Sequence, residues 1–351
     1  MIISRLKIEN LRNIENLDLE LSPGINLFTG TNGAGKTSIL EAIYLLSRNK
    51  SFRSLHTQHL IKKSKSYLLI NASCQQDDKT HKSIGLLKTK TKTKHSINGK
   101  KIYKSSSIAK QILIGTITSN IHHLIEGGPV NRRRYLDWVV FHVEPEYLNV
   151  LQKYNYVLRQ RNRALNANRE QIYIWDEQLS VCANIINDMR IKVIQEIQSI
   201  FNSFLTNSSL CEIDLEFKQG WTGKNEFFDQ LKKKTKVDIQ RGYTTIGPHR
   251  ADLKIRQSSS DFTSVSSRGQ QKLIGILLIL SAVYLIKNKV EESPILLLDD
   301  IFVELDRSNA SLVMDQISSS KPQIFMTSID ALDMDYKMDV EVFHVEQGKI
   351  V

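Results

Sequence analysis

Apolar and polar positions alternate over the first 21 residues: Ile2, Leu6 and Ile8 against Arg5, Lys7 and Glu9, then Leu17, Leu19 and Leu21 against Asp18 and Glu20. A period of two predicts two half-buried strands joined by a turn near Asn13. Ile25, Leu27 and Phe28 predict a short buried strand, and Ser38 to Leu46 the helix just after it. Residues 67–104 read as further short strands, with Asn98-Gly99 as a tight-turn signal. From about residue 133 the period lengthens. Tyr147, Leu151, Tyr154, Leu158 and Leu165 form one helical stripe; Leu179, Cys182, Ile186, Met189, Val193, Ile197, Ile200 and Phe204 form another, with polar residues 166–170 between them. This predicts a helical hairpin whose second arm, Leu179 to Phe204, is about 38 Å long, too short for a long coiled-coil protein. Near the C-terminus, Ile295 to Leu298 is a continuous apolar run, the pattern of a strand buried on both faces. Gln323 to Met326 predicts its neighbour, and Val340 to Val345 a last edge strand.

Composition narrows the class. The 351 residues are enough for two domains and a large core, and the formal charge of +11 makes polyanions plausible partners. The basic excess is local. No carboxylate occurs between Asp78 and Glu126, where Lys79, Lys82, Lys88, Lys90, Lys92, Lys94, Lys100, Lys101, Lys104 and Lys110 fall. This tract reads either as a polyanion contact or as solvated strands protected from edge pairing. The three cysteines, Cys74, Cys182 and Cys211, have no metal-ligand spacing and fit a reducing, cytoplasmic compartment. The longest apolar stretch, Leu273 to Ile286, is too short to cross a bilayer and contains Gly275 and Ser281, so no membrane association is expected. The charged, alternating N-terminus is unlike a signal peptide.

The chemistry sits in three segments. Gly30-Thr31-Asn32-Gly33-Ala34-Gly35-Lys36-Thr37-Ser38 contains G-x-x-x-x-G-K-[ST] between a strand and a helix, the form of a phosphate-binding loop. Its glycines let backbone N–H groups turn toward a phosphate, Lys36 reaches the β- and γ-phosphates, and Thr37 offers a hydroxyl to Mg²⁺. Asp299-Asp300 ends the apolar strand, where an α/β sheet places metal-coordinating carboxylates. Asp299 is assigned to the metal and Asp300 to the attacking water. Lys36 and Asp299 are 263 residues apart, so other structure is inserted between them. Third, Ser267-Arg268-Gly269-Gln270 opens a long apolar helix, 29 residues before Asp299. A serine and glycine N–H groups at a helix start form an anion site, although a plain helix cap has the same letters. In this order and spacing they match ABC-type ATPases, in which S-x-G-Q closes over the nucleotide of a second subunit. Glu304-Leu305-Asp306 falls where that class carries its D-loop.

On these and further segments the chain resembles the RecF family, bacterial ABC-type ATPases of the structural-maintenance and Rad50 kind. The carriers are Asn10-Leu11-Arg12-Asn13, Gly30 to Thr37, Ser51-Phe52-Arg53, Gly127-Gly128-Pro129, Arg132 to Trp138, Gln160-Arg161-Asn162, Gly247 to Leu253 and Leu298 to Asp306. The fold this implies is α/β: an ABC-type P-loop ATPase head with a mixed sheet, plus an inserted, mostly helical second lobe. The expected boundaries are 1–130 and 241–351 for the head and 131–240 for the lobe. The resemblance implies ATP and Mg²⁺ as cofactors, an ATP-dependent homodimer, binding to duplex and gapped DNA, recombinase loading alongside RecR and RecO, and a role in replication restart and SOS induction. Arg12, Asn13 and Arg53 are expected beside the nucleotide, with Ser267, Gly269 and Gln270 acting across the dimer. Arg132, Arg133 and Arg134 read either as phosphate contacts or as anchors of the lobe, and Trp138, Trp175 and Tyr147 as core.

There are departures. Thr118-Ser119-Asn120-Ile121 stands where family members often carry Pro-Glu-Asp, which puts a Gln-loop-like contact in question. Thr327-Ser328 replaces the histidine of transporter-type ATPases, and Asp300 their glutamate, which predicts slow hydrolysis. Competing classes are a transporter's ATP-binding subunit, a nuclease-associated head and a module in which nucleotide is structural. The short hairpin, the missing histidine, the basic excess and the lack of a metal-binding carboxylate cluster speak against the first two.

Overall fold

The computed structural model describes all residues except 54–58, 77–79, 104, 168–171, 207, 209, 211, 224–226, 291, 303–304, 331–335 and 337. Asp78, Lys79, Lys104, Cys211, Glu304 and positions 168–170 of the expected hairpin turn therefore lie outside the described residues. The chain forms two compact units, Met1–Ile121 with Glu291–Val351, and His122–Val290.

The first unit opens with β1 (Ile2–Leu11), β2 (Ile14–Glu20), β3 (Ile25–Thr29) and α1 (Lys36–Arg48). Next come β4 (Tyr67–Gln75), β5 (His81–Thr89), β6 (Thr93–Ile97), β7 (Lys100–Ile102), α2 (Ser105–Ala109) and β8 (Ile114–Thr118). The second unit contains α3 (His123–Glu126), α4 (Pro129–Val143), α5 (Tyr147–Ala167), α6 (Ile172–Leu205), β9 (Ile213–Lys218) and α7 (Phe227–Arg241). It continues through a 3₁₀ turn at Pro248–Arg250, β10 (Asp252–Gln257), β11 (Ser260–Asp261), α8 (Phe262–Val265) and α9 (Arg268–Val290). The chain then returns to the first unit for β12 (Ile295–Asp299), α10 (Arg307–Ser320), β13 (Ile324–Thr327), β14 (Val340–Glu346) and β15 (Lys349–Ile350).

Two sheets build the first unit. One is an antiparallel sheet in the order β2-β1-β4-β5-β6-β7. Its alternating sequence follows from having one face on the core: Leu6, Ile8, Ile70, Ala72, Ile84 and Leu86 are buried. The other sheet, β15-β14-β3-β13-β12-β8, is parallel from β14 to β8, with β15 antiparallel at the edge. β3, β12 and β13 are buried at every position, which explains their unbroken apolar runs. α1 shares one core with both sheets, through Ile39, Leu40, Ile43 and Leu46. At Asn98-Gly99 both residues have positive φ, 49° and 75°, as a two-residue hairpin turn requires. The expected last edge strand, β14, lies one place in, between β3 and the two-residue β15.

The second unit joins the predicted hairpin to elements that the sequence reading assigned elsewhere. Its limits fall at 121/122 and 290/291, whereas the expected limits were 130/131 and 240/241. The physical reason is α9. Its surface is apolar all round, and Leu273 to Ala282, together with Val283, Leu285 and Ile286, is buried among elements of this unit, α6 and α4 included. It has the length and composition to cross a membrane, yet most of that surface is already inside the protein. α6 also starts earlier than expected, because Ile172 is buried and Asp176 faces Arg161. Tyr147 is fully buried, and Trp175 packs half-buried against Ala164 and Leu165.

Candidate nucleotide site

The parallel strands end in register. Phe343, Phe28, Thr327, Asp299 and Thr118 form one row across the sheet, at the carboxyl ends where such sheets bind ligands. The phosphate-loop segment leaves β3 just beyond that row and enters α1. Gly30, Gly33 and Gly35 have φ of 136°, 83° and 120°, and a side chain at Gly30 would meet the Val345 carbonyl at 2.3 Å. Gly33 differs: a Cβ there meets nothing within 4 Å, so its need for glycine is conformational and the space beside it is open.

A cavity of about 240 Å³ lies at the loop, lined by Arg12, Asn13, Asn32, Gly33, Gly35, Lys36, Thr37, Ser38, Arg53 and Asp300. Lys36 is buried to 4% exposure, and its Nζ donates to the carbonyls of Gly30 at 2.6 Å and Thr31 at 3.1 Å. A buried ammonium held by two neutral oxygens is suited to an entering anion, so the residues fit a triphosphate. Whole small-molecule pockets hold roughly 300–1,000 Å³. The cavity is therefore sized for part of a nucleotide.

The carboxylates belong to the same site. Thr37 Oγ1 donates to Asp299 Oδ1 at 2.8 Å, closing a sequence gap of 262 residues. Thr327 Oγ1 donates to the same oxygen at 2.9 Å, accepts the Asp300 N–H at 3.0 Å and lies 3.4 Å from Asp300 Oδ1. Burial holds the Asp299 carboxyl above its usual range, ahead of the lowering effect of these hydroxyls, and Asp300 adds to the rise. A divalent cation would relieve that burden. Asp300 has φ 51°, in the left-handed region, and this turns it onto the cavity.

Arg12 and Asn13 line the cavity with their side chains already engaged. Arg12 Nε and Nη2 each donate to Glu41 at 2.9 Å, and Nη1 donates to the His59 carbonyl at 3.0 Å. Glu41 is fully buried, and Ser51 Oγ also donates to it. Asn13 Nδ2 donates to the carbonyls of Gly33 at 3.2 Å and Ala34 at 3.0 Å, while its Oδ1 accepts from Ser38 at 3.4 Å. Asn13 thus braces the loop, while Arg12 is tied to α1 through Glu41. Glu41 and Thr327 were not picked out as functional from the sequence. Glu41 is an acidic residue within an apolar helix, and that anomaly was its only signal. The Thr118-Ser119-Asn120 segment leaves β8 beside Asp299.

Ser267, Gly269 and Gln270 lie in the second unit, at the start of α9. The Ser267 N–H donates to Gln270 Oε1 at 2.8 Å, and the Gln270 N–H donates to Ser267 Oγ at 3.3 Å, a reciprocal capping box. Ser267 is exposed, and a Cβ at Gly269 would meet nothing within 4 Å. The turn is a stable cap that leaves its serine accessible.

The other motif segments build the second unit's interior. Arg132 forms a two-pronged pair with Asp252, at 2.7 and 3.0 Å, and Arg133 donates to the Ala251 carbonyl at 2.6 Å, so both anchor the lobe. Arg161 is fully buried between Asp176 at 2.6 Å and Asp238 at 2.7 Å. His249 Nε2 donates to the Thr244 carbonyl at 3.1 Å, which leaves Nδ1 to accept from Tyr154 at 2.6 Å.

Comparison with known proteins decides the lineage. Residues 2–350 match the RecF/RecN/SMC N-terminal domain. The chain is 33% identical over 360 residues to the DNA replication and repair protein RecF of Shewanella loihica, covering 100% of this chain and 99% of that one. It is 34% identical over 370 residues to that of Hahella chejuensis, with the same coverage. The chain belongs to the RecF family. Among solved structures it is similar to the recombination mediator protein RecF–ATP in the RecFOR pathway, with a TM-score of 0.89 and 25% identity over 100% of this chain and 97% of that one. The Smc head domain of Pyrococcus furiosus, at a TM-score of 0.58 and 15% identity over 100% of this chain and 96% of that one, shares the fold. The ATPase-head architecture of the RecF family is therefore the architecture of this chain.

Proposed function

We propose that this protein is an ATP-gated DNA-binding switch of recombinational repair and replication restart, with a slow ATPase activity. The observation that carries the reading is the 2.8 Å hydrogen bond between Thr37 and Asp299, which joins the phosphate loop to the acidic strand in a chain matching RecF proteins end to end. Lys36 and the loop from Gly30 to Ser38 hold ATP, and Thr37 with Asp299 holds Mg²⁺. Bound Mg²⁺ neutralises phosphate charge and orients the γ-phosphate. Asp300 orients the attacking water. Its short carboxylate and the Thr327-Ser328 pair, in place of an imidazole, give a turnover below about 10 s⁻¹, the median for enzymes.

Ser267, Gly269 and Gln270 contact the nucleotide of a second copy, making an isologous dimer with two shared sites. A cavity sized for only part of a nucleotide and an exposed, pre-shaped Ser267 turn support this. The dimer binds duplex and gapped DNA without sequence preference and helps load recombinase alongside RecO and RecR, in line with the RecFOR pathway of its structural relatives. A link to SOS induction and a cytoplasmic location complete the proposal; Cys74 and Cys182 are free thiols, as a reducing compartment keeps them.

Light scattering with and without Mg-ATP tests the reading on the wild type, Lys36→Arg and Ser267→Arg. The expected result is an ATP-dependent dimer in the wild type, lost in Ser267→Arg although that variant still binds ATP. A monomer under every condition, with ATP bound, would reject the dimeric switch.

A further inference from the structure

We propose that a lysine-lined groove in the first unit, between residues 61–67 and 87–91, takes the phosphate backbone of duplex DNA and is linked to the phosphate loop through Lys62 and Asn13. The proposal rests on the DNA-binding reading above and names its surface. The groove has a volume of about 1,040 Å³, and its lining contains Lys62, Lys63, Lys65 and Lys90, several hydroxyls and Tyr67, with no carboxylate. Small-molecule pockets are mostly apolar and hold roughly 300–1,000 Å³. A wide trough of ammonium groups instead suits an extended polyanion. Its 87–91 wall belongs to the tract in which no carboxylate occurs between Asp78 and Glu126, so nothing acidic on that segment repels a phosphate chain.

The lysines are not equivalent. Glu15 pairs with Lys62 at 3.2 Å and Lys65 at 2.9 Å and holds these two ammonium groups in place. Among the described residues Lys63 and Lys90 form no ion pair, and both are exposed. They offer their charge at no cost in broken pairs.

The groove also touches the machinery of the nucleotide site. Its wall is fixed to the turn carrying Arg12 and Asn13: Leu11 bridges Ile61, Arg12 N–H donates to the Leu60 carbonyl at 2.8 Å, and Lys62 N–H donates to the Asn10 carbonyl at 2.9 Å. Lys62 Nζ reaches the Asn13 carbonyl at 3.4 Å, and the Asn13 side chain clasps the loop carbonyls of Gly33 and Ala34. A phosphate competing with Glu15 for Lys62 therefore acts on the residue that braces the ATP loop. DNA and ATP binding are coupled through this contact.

The test is fluorescence anisotropy of a labelled blunt duplex with Mg-ATP, over a salt series. In Lys63→Glu/Lys90→Glu the slope of log affinity against log salt falls by about 2, at about 0.9 per lost contact, and affinity drops at least roughly tenfold. Lys232→Glu/Lys233→Glu, the same charge change on exposed positions of α7, leaves the slope unchanged. Equal losses in the two double variants overturn the groove, as does wild-type protein that binds polyglutamate as tightly as duplex. In a second arm, duplex raises wild-type ATP affinity, measured with a fluorescent analogue, and Lys62→Met abolishes that rise. A Lys62→Met protein that still responds overturns the link. A wild type that binds no duplex at any salt fails the functional reading itself, and the groove with it.

Discussion

Apart from the Arg12–Glu41 pair of the first unit, the two units handle the buried charge described above in opposite ways. At the nucleotide site of the first, Lys36 is buried on neutral carbonyls, and Asp299 is buried on hydroxyls with Asp300 beside it. Those charges are separated by type, and Lys36 and Asp300 line a cavity. In the second unit Arg161 lies between Asp176 and Asp238, Arg190 donates to Asp137 at 2.6 Å and Tyr147 at 3.1 Å, and Arg132 grips Asp252. There each cation meets its carboxylate inside the protein. At the loop, buried charge held without an opposite partner is suited to a ligand; in the second unit, charge matched by the fold is architecture.

The sharpest way to break this comparison is Asp238→Ala. Asp238 is fully buried and accepts from Arg161, from the Thr245 N–H at 3.0 Å and from the Thr245 hydroxyl at 2.6 Å. Removing one partner of a buried pair costs about 3–5 kcal/mol. Urea unfolding should show that loss, while ATP affinity of the folded variant stays at the wild-type value. Lost ATP affinity with intact stability would instead put this cluster in the nucleotide site.

A smaller effect comes from pH. Burial pushes the His249 pKa down to about 4, helped by the charges of Arg250 and Arg133 and opposed by its bond to Thr244 and by Asp238. The unfolded chain takes up this proton near pH 6.5 and the folded chain only near pH 4, so stability is full above 6.5 and is lost as pH falls through that window, by about 3 kcal/mol. Urea midpoints across the window measure it, and His249→Gln should flatten the slope relative to wild type. An unchanged slope would mean that the imidazole is charged in the fold.

The smallest effect tests the opposite unit. Thr327→Val removes the hydroxyl that ties Asp299 to the Asp300 backbone, at a cost of about 1–2 kcal/mol. The expected signature is ATP turnover lowered by about tenfold with ATP affinity nearly unchanged, and recovery in Thr327→Ser. Equal loss of affinity and turnover would make Thr327 a binding group rather than a positioning one.

The local forms of the glycine-rich loop, the strand ending in Asp299 and the capped turn at Ser267 were legible because glycine at fixed intervals, lysine after glycine and aspartate after an apolar run each have a local physical cause. The alternating strands of the antiparallel sheet and the buried β12 were legible for the same reason. β8, β9, β10 and β11 were not. They are short; β9 and β10 do alternate, but in Asp252-Leu253-Lys254-Ile255 the polar Asp252 is itself buried, by an arginine 120 positions away that no local pattern shows. α9 was read as a helix, but its place in the second unit depends on α6 and α4, which no local pattern encodes. Likewise Arg161 and His249 could be recognised as characteristic of the family, while their function as interior bonds appears only when Asp238, Thr244 and Tyr154 are brought to them.

The left-handed backbone at Asp300 restricts what evolution can do with this position. Aspartate and asparagine tolerate φ near 51°, whereas a longer acid pays a steric cost of roughly 1 kcal/mol or more there. A glutamate reaching further toward a water molecule would have to come with a reshaped turn, and Thr327 would lose the amide it accepts from. The short acid and the bent backbone are inherited together. On the proposed reading of Asp300, a longer acid at this position is two coordinated changes away.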